Sequence, residues 1–443
     1  MAATQTIAIV GAGYSGALLA VHLSRRPGVK VTLIERSLVF GLGLAYGTTC
    51  PMHLLNVRSG RMSAFPDDPG HFVRWLAEHE PHLADPEGFA PRMVFGRYVR
   101  ALLQEAADAA EGRLELVPGE AVAVDAGPDQ ARITLADGRK VSADRAVLAL
   151  GNRPPGEPDP EFAKVPVDRF LNDPWAPGAL DKVKPADEVL LVGSGLTMID
   201  VVLALEAQGW MGRALALSRR GLLPRAHDPV QAHAGPNPPP DETLSQRLKA
   251  FRRRIGERGW GAAMDEIRPF NQAVWRALDT QERRRFLRHL RPWWDVHRHR
   301  VAVGVADGLR GLFESGRLSV AGGKIVRVEP GSAGVLVDWR PRGSREAVRA
   351  HFERVINCTG PLADLSKSPE ALPRQLFESG VVRADPLRLG LDVDAGGRVI
   401  GRDGRVNPRL YAIGPLTKAE SWEMVAVPEI RSQAAELAER LTA

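Results

Sequence analysis

The sequence predicts an α/β protein built from two Rossmann-type domains, with a helical insertion in the second. Three observations predict it. A strand, glycine turn, helix and strand open the chain; a second such unit begins near residue 187; and the same series of parts follows each. The 443 residues are too many for one ordinary domain and comfortable for two.

The first unit starts with residues 6–10, a short β-rich apolar run of the kind found in buried parallel strands. The turn GAGYSG follows, with Gly11, Gly13 and Gly16, then an apolar helix over 15–23 and a strand over 30–35. In such a turn the first glycine permits the bend, the second lets a pyrophosphate approach the backbone, and the third lets helix pack on strand. The helix N-terminus, with Tyr14 and Ser15, offers free N–H groups and the positive end of its dipole. Glu35 ends the second strand, where a carboxylate can accept from ribose hydroxyls. A free 2′-hydroxyl suits the adenosine half of FAD.

The second unit predicts a strand over 188–192, a helix over 196–207 and a strand over 214–218. Its turn, GSGLTM, presents Gly193, Ser194, Gly195, Leu196 and Thr197, with Met198 in place of the third glycine. A larger residue there asks the helix to pack differently on its strand. No acid ends the next strand; Ser218, Arg219 and Arg220 stand there instead. Arginine pairs bidentately with a phosphate that a carboxylate would repel, so this site is expected to take NADPH rather than NADH. Two dinucleotide sites in one chain imply hydride transfer from nicotinamide to flavin.

The repeat extends past the turns. RLELVPGEAVAVDAG, a hairpin at Asp137-Gly138 and RAVLALGNRPP follow the first unit; RLSVAGGKIVRVEPG, a hairpin near Arg342-Gly343 and RVINCTGPL follow the second. The expected division is a discontinuous FAD-binding domain of residues 1–155 and 359–443, ending in a helix over 427–441, and an NAD(P)-binding domain of 186–358. Within the latter, 224–316 reads as the insertion, with a Pro-rich loop at 235–242 and then Arg-rich helices. The arginine runs at 252–254 and 283–285 read as solvated helix faces.

Composition narrows the classes. The chain is 44% hydrophobic and 25% charged, with a net charge of +6, as in a soluble protein whose basic surface attracts anionic ligands without requiring nucleic acid. Cys50 and Cys358 are the only two cysteines, so a disulfide reductase with a redox-active CxxC is excluded, and so is a thiol-cluster zinc site. His297 and His299 lie two apart, a poor spacing for chelation on a helix, and no metal is expected. No signal peptide or membrane span is evident, so a cytoplasmic location without membrane contact is expected.

The segments 41–76, GSGLTMID (193–200), SRRGLLPRAH (218–227) and WDVHRHR (294–300) make the chain similar to the FAD–NAD(P)-binding family of bacterial flavoproteins. That family is related to the two-domain flavoprotein monooxygenases, among them amine N-hydroxylases and Baeyer–Villiger enzymes. The resemblance implies a loop wrapped round the flavin, with His53, Asn56, Met62 and Ser63 in its pocket. It also implies that the strands ending at Gly151 and Gly360 pass beside the cofactors. Gly414 corresponds to a late flavin-contacting turn, where Pro415 replaces the usual acid. The N-hydroxylases carry a substrate-contacting Lys in a loop where this chain has Phe65-Pro66-Asp67-Asp68. The resulting expectation is an FAD- and NADPH-dependent monooxygenase acting with dioxygen on a small molecule. An NADPH-dependent flavin reductase serving a quinone or a partner protein, and a non-catalytic redox sensor, are the alternatives.

Overall fold

Two sheets organise the chain, and each grows from one of the glycine turns. The structure, a computed structural model, describes residues 4–228 and 243–443; the Pro-rich loop at 235–242 lies outside the described residues. The first sheet runs, in spatial order, Arg398–Ile400, Val406–Ala412, Arg145–Leu148, Gln5–Val10, Val29–Glu35, Leu114–Pro118. All neighbours are parallel except the first pair. The second runs Val348–Phe352, Val335–Pro341, Leu318–Pro330, Ala214–Ser218, Val189–Val192, Arg354–Asn357, Phe170–Leu171. It is parallel from Leu318–Pro330 to Phe170–Leu171. The second sheet thus takes in a strand that lies ahead of residue 186.

The two central orders are the same: each fingerprint strand sits between the strand that follows its helix and the strand that closes its unit. These inner strands are almost wholly apolar because both faces are covered, as parallel sheets require. The close packing has the same cause in both halves. Gly11 has φ +102°, and a Cβ there would stand 2.5 Å from the carbonyl oxygen of Ala149, just beyond the strand Arg145–Leu148. Gly193 has φ +121°, and a Cβ there would collide with the carbonyl of Cys358, just beyond Arg354–Asn357. Only glycine meets both demands at either place.

The fingerprint helices are Tyr14–Ser24 and Leu196–Ala207. Met198, in the third glycine position, is fully buried in the core beneath the second helix. The meanders differ. In the first half Ala121–Ala126, Ala131–Leu135 and Lys140–Ala143 form a separate small sheet that turns at Gly138, φ +88°. In the second half Leu318–Pro330 keeps the meander in one continuous sheet, parallel to its neighbour at its start and antiparallel at its end, with a register shift between Ile325 and Arg327.

The insertion is helical where described: Leu244–Ile267, Asn271–Ala277, Thr280–Arg285, Arg291–Arg298 and Val303–Glu314, with a π-helical turn at Phe286–Leu290. Thr243 and Gln246 cap the first helix reciprocally, and Gly259, φ +78°, breaks it. It does not stand apart from the first half. Trp275 stacks on Trp422 at 4.6 Å, and its Nε1–H donates to the carbonyl of Ala419 at 2.7 Å. The arginine runs are only partly solvated: Arg254 donates to the buried Glu266 at 2.6 Å, and Arg283 lies 5.1 Å over the Trp275 ring. Among the described residues no helix is long and apolar enough to cross a membrane.

Candidate functional site

The first turn is shaped to admit a ligand from above. The loop that starts at Gly41 returns over the helix start, and a Cβ at Gly13 would be only 3.4 Å from the Cα of Gly43, so glycine faces glycine across the gap. Gly41 N–H donates to the carbonyl of Ala12 at 2.7 Å and holds that loop in place. Glu35 accepts from Ala12 N–H at 2.8 Å and from Ser37 N–H at 3.0 Å, one bond per carboxylate oxygen. Each oxygen keeps a lone pair for a ribose hydroxyl. Gly16 packs so tightly on Gly11 that no side chain fits, and Ser15 is buried against Gly414, φ +73°. Gly414 N–H donates to Gln433 Oε1 at 2.8 Å, so a side chain of the C-terminal helix supports this turn where an acid is missing. The ring of Tyr14 is buried between Tyr46 and Phe95, so its backbone is what it offers at the turn.

At the second turn Ser194 and Ser218 work on the protein itself. Ser194 Oγ donates to the carbonyl of Leu222 at 2.6 Å and lies 2.8 Å from Ser218 Oγ, which accepts from Gly221 N–H at 3.0 Å. These bonds hold the bend that presents Arg219 and Arg220, neither of which is ion-paired among the described residues. A Cβ at Gly195 would meet nothing within 4 Å, which leaves that turn open to an approaching group.

A cavity of about 450 Å³ joins the two halves. Asn56, Met62 and Gly151 line it from the first half, and Gly195, Leu196 and Thr197 from the second. The insertion closes one wall with Arg291, Asp295 and His299, successive turns of one helix face. The return segment contributes Pro415, Leu416 and Lys418. Cys358 also borders it, but burial pushes its thiol far up and leaves it inert. A larger groove, about 750 Å³, separates the C-terminal helix from the insertion and touches neither glycine turn, so the smaller cavity is the candidate site.

Two expected pocket residues lie elsewhere. His53 is buried with both ring nitrogens committed: Nδ1 is 2.7 Å from Thr48 Oγ1, and Nε2–H donates to the carbonyl of Asp200 at 2.8 Å. Ser63 is fully buried and caps its own loop, its hydroxyl donating to Asp68 O at 2.6 Å. Asp200 in turn forms a two-pronged ion pair with Arg92, at 2.7 and 3.1 Å. His53, Arg92 and Asp200 fasten the halves together at the cavity, which Arg92 lines. His297 and His299 diverge: His297 stacks on Trp260 at 3.6 Å, while His299 reaches the cavity.

Sequence reasoning passed over Lys418 and the residues behind it. Lys418 is half-buried, with its ammonium 5.2 Å over the Trp422 ring, and burial brings it down to about 8. Glu423, at φ +63°, accepts from Trp294 Nε1–H at 2.6 Å, Arg298 at 2.9 Å and Asn271 at 3.0 Å. Burial pushes its carboxyl up, but Arg298 and its other partners outweigh that and hold it low. A backbone strain of that sort in a buried, fully bonded Glu marks the junction of insertion and cavity.

Residues 8–153 match a family model described as FAD-NAD(P)-binding. Among curated proteins, none matches. Solved structures align over nearly the whole chain. The reduced form of ornithine hydroxylase from Pseudomonas aeruginosa is 17% identical, covers 99% of this chain and 98% of its own, and has a TM-score of 0.68. An ornithine N-hydroxylase from Kutzneria sp. with reduced FAD, NADP+ and L-ornithine is 17% identical over 99% of each chain, TM-score 0.63. The FAD-bound cadaverine monooxygenase of the desferrioxamine pathway of Erwinia amylovora is 11% identical over 100% and 95%, TM-score 0.68. The opening third of the chain is therefore similar to the FAD-NAD(P)-binding family, and the whole carries the two-domain α/β fold of those hydroxylases and monooxygenases.

Proposed function

We propose that this protein is an FAD- and NADPH-dependent monooxygenase acting on a small molecule. The observation that carries the reading is the single cavity bordered at once by both glycine-turn halves, Met62 and Gly151 on one side and Gly195 to Thr197 on the other. Ligands of open α/β sheets bind beyond the carboxyl ends of the strands, where these turns lie. The Kutzneria relative holds both nucleotides on the same fold. The glycine gap at Gly13 and Gly43 and the unused lone pairs of Glu35 fit the pyrophosphate and ribose of FAD. The open space at Gly195, and Arg219 and Arg220, which form no ion pair among the described residues, fit NADPH. When bound, FAD supplies the redox chemistry and the activation of dioxygen that the side chains lack.

The chain's own part is placement and exclusion. The N-termini of the two fingerprint helices face phosphates, and Arg219 and Arg220 select the 2′-phosphate. Leu196, Leu416 and other apolar side chains dry the cavity, and a site of about 450 Å³ has room for a small molecule beside a ring system. Cys358, the only cysteine at the cavity, stays protonated, so electrons have no thiol relay to follow.

The test is a visible spectrum of purified protein and NADPH oxidation in air. Flavin bands and faster oxidation of NADPH than NADH are expected. Replacing Arg219 and Arg220 together by Ala should raise KM for NADPH by roughly ten- to a hundredfold, about 1.4–2.7 kcal/mol, with NADH little changed. Colourless protein that oxidises neither nucleotide would sink the proposal. NADPH oxidation that only ever reduces a quinone, with no oxygenated product, would replace it with the reductase.

A further inference from the structure

Lys418 faces the cavity from the return segment, at the end of the single helical turn Gly414–Thr417. Its side chain is half-buried, yet among the described residues it makes no hydrogen bond and no ion pair; its ammonium only rests on the face of Trp422. The charged groups around it are already spoken for. Asp295 lies 3.3 Å from Arg291 and 3.9 Å from His299, and Glu423 is bonded to Arg298, Trp294 and Asn271. Asp295 balances Arg291, and Glu423 balances Arg298, so the ammonium of Lys418 is left without a counter-ion. A half-buried, unpaired cation is costly unless something anionic arrives to meet it.

The rest of the cavity says what that ligand looks like. Apolar side chains of the same cavity are supplied by Leu389, Leu416, Val425 and Val427, beside Arg92, Arg153 and Arg291, each of which is already ion-paired. An anionic end held at Lys418 would lay an apolar body along these walls toward the junction of the two halves.

We propose that Lys418 is the anchor for a carboxylate on the substrate, so that this site takes small molecules with a carboxylate at one end and an apolar chain behind it. The proposal rests on the monooxygenase reading for the word substrate, though not for the binding itself. His299 lines the cavity from the insertion, and burial lowers it and so favours its neutral form, so Lys418 on the return segment supplies the free positive charge.

Chemical labelling of the FAD-loaded protein tests it without turnover. Trinitrobenzenesulfonate, an anion that reacts with neutral amines, would be applied from pH 6 to 10 and the modified residue located by peptide mass spectrometry. Lys418 is expected to label ahead of the surface lysines, with a midpoint near pH 8. Hexanoate should slow its labelling at least fivefold, while hexanol and hexylamine should not. A rate at Lys418 that hexanoate leaves unchanged, or that hexanol slows equally, would overturn the proposal. In parallel, hexanoate should inhibit NADPH oxidation at least tenfold more weakly in Lys418→Met, with Lys418→Arg within threefold of the parent. A rise in the KM for NADPH in Lys418→Met, with hexanoate inhibition unchanged, would assign Lys418 to the nucleotide instead and overturn the proposal. If Lys418→Met does not fold, the labelling of the parent protein decides. Loss of NADPH oxidation with hexanoate protection intact would remove the oxidoreductase reading and leave the carboxylate site standing.

Discussion

At the scale of single residues, Gly11 and Gly195 separate what the fold needs from what a ligand needs. Gly11 combines φ +102° with a carbonyl 2.5 Å from any Cβ, so Gly11→Ala strains the backbone whatever is bound. The expected cost is about 2–3 kcal/mol in urea unfolding, with loss of bound flavin. Gly195 has φ −90° and empty space where a Cβ would go. Gly195→Ala should therefore leave stability within about 0.5 kcal/mol and weaken NADPH binding, measured by titration. Equal unfolding costs for the two would contradict this division. The glycines were legible because a tight bend and close packing leave no other residue to choose. His53 and Ser63 were not, because a polar residue near a glycine-rich loop can serve the ligand or the loop, and only their partners decide. Asp200 lies 147 positions from His53.

The helical insertion was legible as an element, from its composition and its place between two strands of the repeat. Its docking face was not. The groups that hold it, Glu423 with Arg298 and Glu429 with Arg268, lie 125 and 161 positions apart in the chain, beyond any local pattern. Arg298→Ala would strand a carboxylate that is 2% exposed. We expect a loss of about 3–5 kcal/mol and faster amide exchange across residues 244–298. Arg252→Ala, an exposed change on the same insertion, should cost under about 0.5 kcal/mol. An insertion whose exchange is the same in both variants would show that the Glu423 cluster does not hold it. Lys418 escaped notice for a related reason: the sequence shows a lysine after a glycine bend, and only the packing shows that the nearby carboxylates are taken.

The halves of the whole molecule meet through contacts that respond to acid. His227, from the second half, has Nε2 3.0 Å from the carbonyl of Asn56 in the first, and burial takes it down to about 4. Its ordinary value in an unfolded chain is about 6.5. Between these the unfolded chain binds the proton and the folded one does not, so stability is fully present above about pH 6.5 and declines as pH falls toward 4. His227→Gln should make the acid side of the stability curve shallower by about 1–2 kcal/mol, allowing for the ring's partial exposure. Parallel curves for variant and parent would remove this contact from the account. The doubled series of parts was the most legible feature of all, because two copies of one plan in one sequence reinforce each other. That the second meander would stay joined to its sheet while the first broke away was not readable, since both stretches alternate in the same manner.

Several contacts clasp the two halves, and two of them are ion pairs of buried carboxylates. Arg92 grips Asp200 on one side of the cavity, and Arg298 of the insertion grips Glu423 of the return segment on the other. A hinge that swings open about one clasp must break the other, so the molecule has no inexpensive way to gape. On the flavin reading, the ring is enclosed as the chain closes round it and leaves only when a clasp gives way. On the same reading, nicotinamide nucleotide and substrate would come and go by the open side of Gly195. One passenger is built in, and the others are visitors.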